Sequence, residues 1–171
     1  MNIVVIAKDY AINCHSRTNH LYDGYPYEVH LRKAYDYAKK FIHLVDFEDQ
    51  QDVLASSWTH DVIEDCRQSY NDVKKNCNEQ VAEITYALTN EKGKTRKERA
   101  NDKYYQGIRD AKNATFVKLC DRMANISYSK EHGSKMFEMY KKENEEFKSR
   151  IYSKNYEEMF EEIDRLFSES M

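Results

Sequence analysis

An all-α fold is what this sequence predicts, and three observations carry that expectation. Only four glycines and one proline occur in 171 residues, too few to punctuate the turns of a β-sandwich or barrel. Apolar residues return every three or four positions through most of the chain, the period of a helix with one buried face. No segment reads as a strand. The length suits one domain with its own core. No repeat, low-complexity tract or linker divides the chain, so a single domain over 3–171 is expected.

The elements follow in order. A first helix is expected from Val4 to about Arg17, then a polar turn from Asn19 to Gly24. Pro26 is placed in the first turn of the next helix, where a missing N–H costs nothing. Val29, Ala34, Tyr37, Ala38, Phe41 and Leu44 supply that helix with its apolar face, and Phe47, Leu54, Trp58 and Val62 supply the following one. Val73 to Leu88 reads as one further helix, and Glu91 to Arg99 breaks the pattern with a basic run. Phe116 to Ile126 is apolar along one side and is expected to be central and buried. The chain closes with one or two amphipathic helices bearing Met136, Tyr140, Phe147 and Ile151, then Met159, Phe160 and Ile163.

Composition excludes several function classes. Lys and Arg number 27 against 30 Asp and Glu, a net charge of −3, whereas broad nucleic-acid binding needs a basic excess. Gly24, Gly93, Gly107 and Gly133 are too dispersed for a dinucleotide fingerprint or a P-loop. Cys14, Cys66, Cys77 and Cys120 form no C-x-x-C, so neither a zinc ribbon nor a thioredoxin-type site is expected. No apolar run matches a signal peptide or a membrane span. The expectation is a cytoplasmic protein with reduced thiols and no membrane partner.

Chemistry concentrates in Trp58-Thr59-His60-Asp61-Val62-Ile63-Glu64-Asp65. On a continuous helix His60, Asp61, Glu64 and Asp65 fall within an arc of roughly 140°. Asp61 and Asp65 are a like-charge i,i+4 pair with Glu64 beside them and no basic residue interleaved, a costly arrangement that calls for a positive partner. Carboxylate oxygen with imidazole nitrogen suits Mn²⁺, Fe²⁺ or Zn²⁺. The alternative is a solvated acidic patch at a helix end. Asp121 sits within an apolar helix, where an isolated charge is very expensive. It is therefore either in a salt bridge with a distant Lys or Arg or bound to a metal. Asn125, one turn on, shares its face and suits a phosphate or ribose oxygen. His30, alone an ordinary half-buried histidine, completes with His60, Asp61 and Asp121 a two-His, two-Asp set from three helices, enough for one octahedral ion with open positions.

Four passages, taken together, resemble a family. They are Gly24-Tyr25-Pro26-Tyr27-Glu28-Val29-His30-Leu31, His60-Asp61-Val62-Ile63-Glu64-Asp65, Leu88-Thr89-Asn90-Glu91-Lys92 and Val117-Lys118-Leu119-Cys120-Asp121-Arg122-Met123-Ala124-Asn125. The H…HD…D order resembles the HD superfamily of metal-dependent phosphohydrolases. Within it, the pattern is similar to the hydrolase domains of Rel/SpoT-type alarmone enzymes and their small single-domain relatives. The resemblance implies a helical bundle with a metal site between its central helices. It implies removal of the 3′-pyrophosphate from guanosine tetra- or pentaphosphate with Mn²⁺ bound at His30, His60, Asp61 and Asp121. It further implies that Glu64 and Asp65 orient and deprotonate water, and that Asn125 contacts a nucleotide substrate. Arg96 or Lys97, from the basic run, is expected to reach its phosphates or else to lie on a solvated loop. Tyr140 is expected either to meet the nucleotide or to pack in the core.

Two places depart from the family pattern. Leu21, next to His20, stands where family members carry a base-stacking Arg, and Ile126-Ser127-Tyr128 follows Asn125 in place of the usual x-Arg-Thr. The ligand set is intact and the substrate shell is altered. Other substrates of the same chemistry are a deoxynucleoside triphosphate or NADPH. The competing class is an HD-type protein that holds a nucleotide or a partner without turning it over.

Overall fold

In the computed structural model, which describes residues 1–168, helix α1 (Ile3–Arg17) leads into a hairpin, β1 (Leu21–Tyr22) and β2 (Tyr25–Pro26). Then come α2 (Glu28–Phe41), α3 (Gln50–Thr59), α4 (Val62–Asp65), α5 (Tyr70–Asn76) and α6 (Glu79–Ala87). The second half holds α7 (Arg96–Arg99), α8 (Asp102–Asp110), α9 (Ala114–Glu131), α10 (Met136–Ile151) and α11 (Glu157–Ser168). The all-α expectation holds; residues 169–171, the end of the expected domain, lie outside the described residues. Among the described residues no helix is long and apolar enough to cross a membrane.

The central element is α9, whose Phe116, Leu119, Met123 and Ile126 are fully buried. Helices α2, α10 and α11 pack on it, and their apolar faces (Phe147 and Ile151, Met159 and Ile163) close one core cluster around it. A second cluster forms where α1 lies along α3. Ala7, Ala11 and Ala55 are fully buried there, and such small side chains allow two backbones to approach closely. Trp58, Leu31 and Val62 fill the space beside them. Both clusters abut α2 and α3, so the polar residues between them are walled by packed helices on either side.

Local chemistry explains where the elements depart from expectation. The turn after α1 is a two-residue hairpin with Tyr22 opposite Tyr25. Asp23 and Gly24 have φ of 50° and 82°, the left-handed pair that a type I′ turn demands and that Asp-Gly adopts readily. Pro26 lies in β2 rather than in a helical turn, and α2 begins at Glu28 after Tyr27. The segment 73–88 is two helices, because Asn78 starts α6 anew: its side chain accepts the Val81 N–H at 2.9 Å and donates to Asp52 at 2.7 Å. The helix expected through Phe47 to Asp65 is also interrupted. Phe47 is exposed in a short turn ahead of α3 rather than on its apolar face. Asp61, with φ −106° and ψ 0°, separates α3 from α4, so the single arc expected for His60, Asp61, Glu64 and Asp65 is replaced by a bend. Helix α8, which the hydropathy pattern does not mark, is capped by Asn101 and buries Tyr104 and Ile108 one turn apart.

Candidate metal centre

Three elements bring four donors to one point. His30 sits in the first turn of α2, His60 and Asp61 at the α3–α4 bend, and Asp121 midway along α9. His30 Nε2 lies 3.0 Å from Asp121 Oδ1, and His60 Nε2 lies 3.0 Å from Asp61 Oδ2. The cross pairs are 3.6 Å (His30–Asp61) and 3.4 Å (His60–Asp121), and the two Nε2 atoms are 3.2 Å apart. For bonds of about 2.1 Å, neighbouring donors stand about 3.0 Å apart around an octahedral ion and about 3.4 Å around a tetrahedral one. The observed separations match a hole of that size. The four residues can therefore hold a divalent metal.

Burial and hydrogen bonding prepare the donors for such an ion. His60 Nδ1 donates to the Ser57 carbonyl at 2.8 Å, which leaves the Nε2 lone pair facing the site. The His30 ring stacks on Tyr22, centroids 4.8 Å apart. Tyr27 donates its hydroxyl to Asp61 Oδ2 at 2.7 Å. Asp121 accepts from Asn125 Nδ2 at 3.0 Å on one oxygen and from Lys118 Nζ at 2.8 Å on the other. Burial by itself would push both carboxyl groups up. The buried histidines outweigh it for Asp61, as do Lys118 and both histidines for Asp121, and each carboxyl is held well below the ordinary range. Two imidazole nitrogens 3.2 Å apart need a proton or a cation between them. Accordingly the two aspartates raise both histidines despite their burial.

A second acidic group adjoins the first. Asp61, Glu64 and Asp65 bring one oxygen each within 4.8 Å of one another. Burial first, then the Asp61 and Glu64 charges, push Asp65 up to about 8, and burial raises Glu64 as well. Glu64 accepts the Asn90 backbone N–H at 2.8 Å. Asp65 lies 3.9 Å from His20, itself held 2.9 Å from the buried His15.

The donors open into a polar cleft of about 150 Å³ whose walls include Glu64, Asn90, Lys118, Asn125 and Tyr140. Arg96 and Arg122 line it too, and through them it continues into a basic cleft of about 300 Å³ that adds Lys97 and Arg99. A groove of about 460 Å³ beside α1, lined by Tyr10, Cys14 and Cys66, contains none of the four donors. Burial pushes its Cys66 thiol up to about 12, which leaves it a poor nucleophile at neutral pH.

The residues singled out by sequence thus fall into two groups. His30, His60, Asp61, Asp121, Glu64, Asp65, Asn125, Arg96 and Tyr140 all border the inner cleft or touch a residue that does, whereas Lys97 reaches only the outer one. Asn125 is already engaged on both ends of its amide, donating to Asp121 and accepting from the Tyr22 hydroxyl at 2.7 Å. Tyr140 is buried and carries Arg122 over its ring at 4.7 Å. Sequence reasoning sought a distant partner for Asp121 and passed over Lys118, three residues earlier on the same helix face, where i,i+3 spacing makes neighbours. It also gave no role to Tyr22, Tyr27 or Glu143. No protein-family model matches the chain, and no curated protein matches it.

Proposed function

We propose that this chain is a metal-dependent nucleotide phosphohydrolase of the HD type. Its reaction is that of an alarmone 3′-pyrophosphohydrolase, converting guanosine tetra- or pentaphosphate to GDP or GTP plus pyrophosphate. The observation that carries this reading is the convergence of His30, His60, Asp61 and Asp121, with Glu64 and Asp65 beside them, at the closed end of a cleft whose outer wall is basic. Manganese is the ion proposed; Fe²⁺ and Zn²⁺ suit the same nitrogen and oxygen donors.

When bound, a divalent cation supplies Lewis acidity, making water a better nucleophile and a phosphoryl oxygen a better acceptor of charge. The chain supplies the rest. Tyr27, Lys118 and Asn125 hold the two aspartates in place. Glu64 or Asp65, in its ionised form beside the bound cation, takes the proton from the attacking water. As the new P–O bond forms, the bond to the ribose oxygen breaks and that oxygen takes a proton from solvent. The neighbouring lysine and arginines neutralise charge on the departing group.

The test is a nucleotide panel with Mn²⁺, run on wild type and Asp121→Ala, with products resolved by chromatography. Pyrophosphate released by the wild type alone is the expected result. Release of neither phosphate nor pyrophosphate from any nucleotide overturns the proposal. Recovery of unchanged nucleotide from the cation-loaded protein would replace it with a binding role.

A further inference from the structure

Arg122 makes far fewer bonds than a buried guanidinium normally does. It is 5 % exposed, and its planar group carries five N–H donors. Among the described residues it makes one hydrogen bond, from Nη2 to Glu143 Oε2 at 3.1 Å, while its buried Nε–H has no partner. Its faces are covered by the rings of Tyr140 and Phe147, at 4.7 and 4.3 Å, and it lines both the inner and the outer cleft. Arg96, from α7, meets the same carboxylate in fork geometry, Nε to Oε1 at 2.9 Å and Nη2 to Oε2 at 3.2 Å. Glu143 therefore stands between two guanidinium groups, with one negative charge against two positive ones. Burial would raise its carboxyl, but the Arg96 and Arg122 charges prevail and keep it ionised.

A planar, two-oxygen anion held by two arginines on the cleft wall is the arrangement by which proteins grip phosphate. We infer that Arg122 and Arg96 form a phosphoryl-binding subsite distinct from the four-donor centre, and that Glu143 occupies it in the free protein as an internal substitute for the ligand's charge. The ligand is a polyanion of the pyrophosphate class, free or carried by a nucleotide. Its second charge completes the neutralisation that one carboxylate leaves half done. As a substrate subsite the inference rests on the hydrolase reading; as an anion site it stands on the arginine pair alone.

The test uses cation-free, desalted protein and inorganic pyrophosphate in titration calorimetry, so no turnover enters the readout. Removing the charge in Glu143→Gln is expected to tighten pyrophosphate binding roughly tenfold or more, since like charges across a contact disfavour it. The gain is expected to vanish in Glu143→Gln/Arg122→Met, and sulfate is expected to compete only weakly. Binding by Glu143→Gln no tighter than wild type overturns the inference, as does a gain that survives in the double variant. Wild-type protein gives a readout independent of any variant's folding. The Arg122 side-chain N–H resonance is expected to shift as pyrophosphate is added, and an unmoved resonance at saturation refutes the subsite. Pyrophosphate binding without nucleotide hydrolysis would remove the hydrolase reading alone. Hydrolysis with Glu143→Gln indistinguishable from wild type in pyrophosphate binding would remove the subsite alone.

Discussion

Replacing Tyr27 by Phe isolates one hydrogen bond at the candidate metal centre. The Tyr27 hydroxyl donates to Asp61 Oδ2 at 2.7 Å, the same oxygen that stands 3.0 Å from His60 and 3.6 Å from His30. Burial, and then the Asp61 charge, keep the phenol protonated far above neutral pH, so it acts only as a donor here. The ring of the same side chain packs independently of that bond. It lies 4.2 Å from each of His15 and His20, and phenylalanine preserves that stack. A hydrogen bond to a charged group contributes about 1.5–3 kcal/mol. With about 1.4 kcal/mol per tenfold change in affinity, its loss should weaken cation binding by roughly 10- to 100-fold. Calorimetric titration of Mn²⁺ into cation-free protein at about pH 7.5, where both histidine and carboxylate donors can lose their protons to the ion, measures this directly. A thermal melt establishes that the variant is folded. A dissociation constant within about twofold of wild type, under the resolution of a single hydrogen bond, would show that Asp61 needs no such orientation. Tighter binding would show that the phenol competes with the ion, and either result defeats the reasoning.

Two further outcomes concern stability. In cation-free protein, Asp65 binds its proton up to about pH 8, whereas an unfolded aspartate lets go near about pH 4. The folded state is thus the better proton binder over that interval. Its contribution is full below about pH 4 and lost as pH climbs toward about 8, with a slope of about 1.4 kcal/mol per pH unit. Between about pH 6.5 and 8, where the slope falls to half as the folded-state value is reached, wild type should lose about 1.6 kcal/mol more than Asp65→Asn in urea melts; identical slopes would reject Asp65 as the source. The window starts at about 6.5, the ordinary histidine value, because the buried His15, pushed down to about 3, gives the opposite trend below it. Separately, Asn78→Ala removes the cap of α6 and its tie to Asp52. The expected cost is about 1–2 kcal/mol, seen as a lower melting temperature without loss of cation affinity. A change in affinity would mean that the α5–α6 break does more than join two helices.

The range of each signal decided how much of the fold and the site was legible in the sequence. Phe116 to Ile126 was legible as a buried helix because its apolar spacing is local and dense. His30, His60, Asp61 and Asp121 were legible as a set because their residue types suit one chemistry, and the helices deliver them to one point. Helix α8 was missed: its two buried residues, Tyr104 and Ile108, sit among charged neighbours, and the Asn101 cap is a weak signal alone. The bend at Asp61 was missed for a different reason. No glycine or proline marks it, and among the contacts Asp61 makes there is one to Tyr27, 34 residues away, which no local pattern foretells. The partners of Arg122 follow the same rule, since Glu143 and Phe147 belong to a different helix whose placement only the packing decides.

The four donors are scattered along the chain, with His30 and His60 30 residues apart and Asp121 further still. Each intervening stretch of chain must close before the donors meet, at an entropic cost that grows slowly with its length. A cation held by all four would be confined to molecules in which α2, α3 and α9 have docked, because those elements carry the donors. Cation uptake followed during refolding would then track the fraction of the population that has brought those helices together.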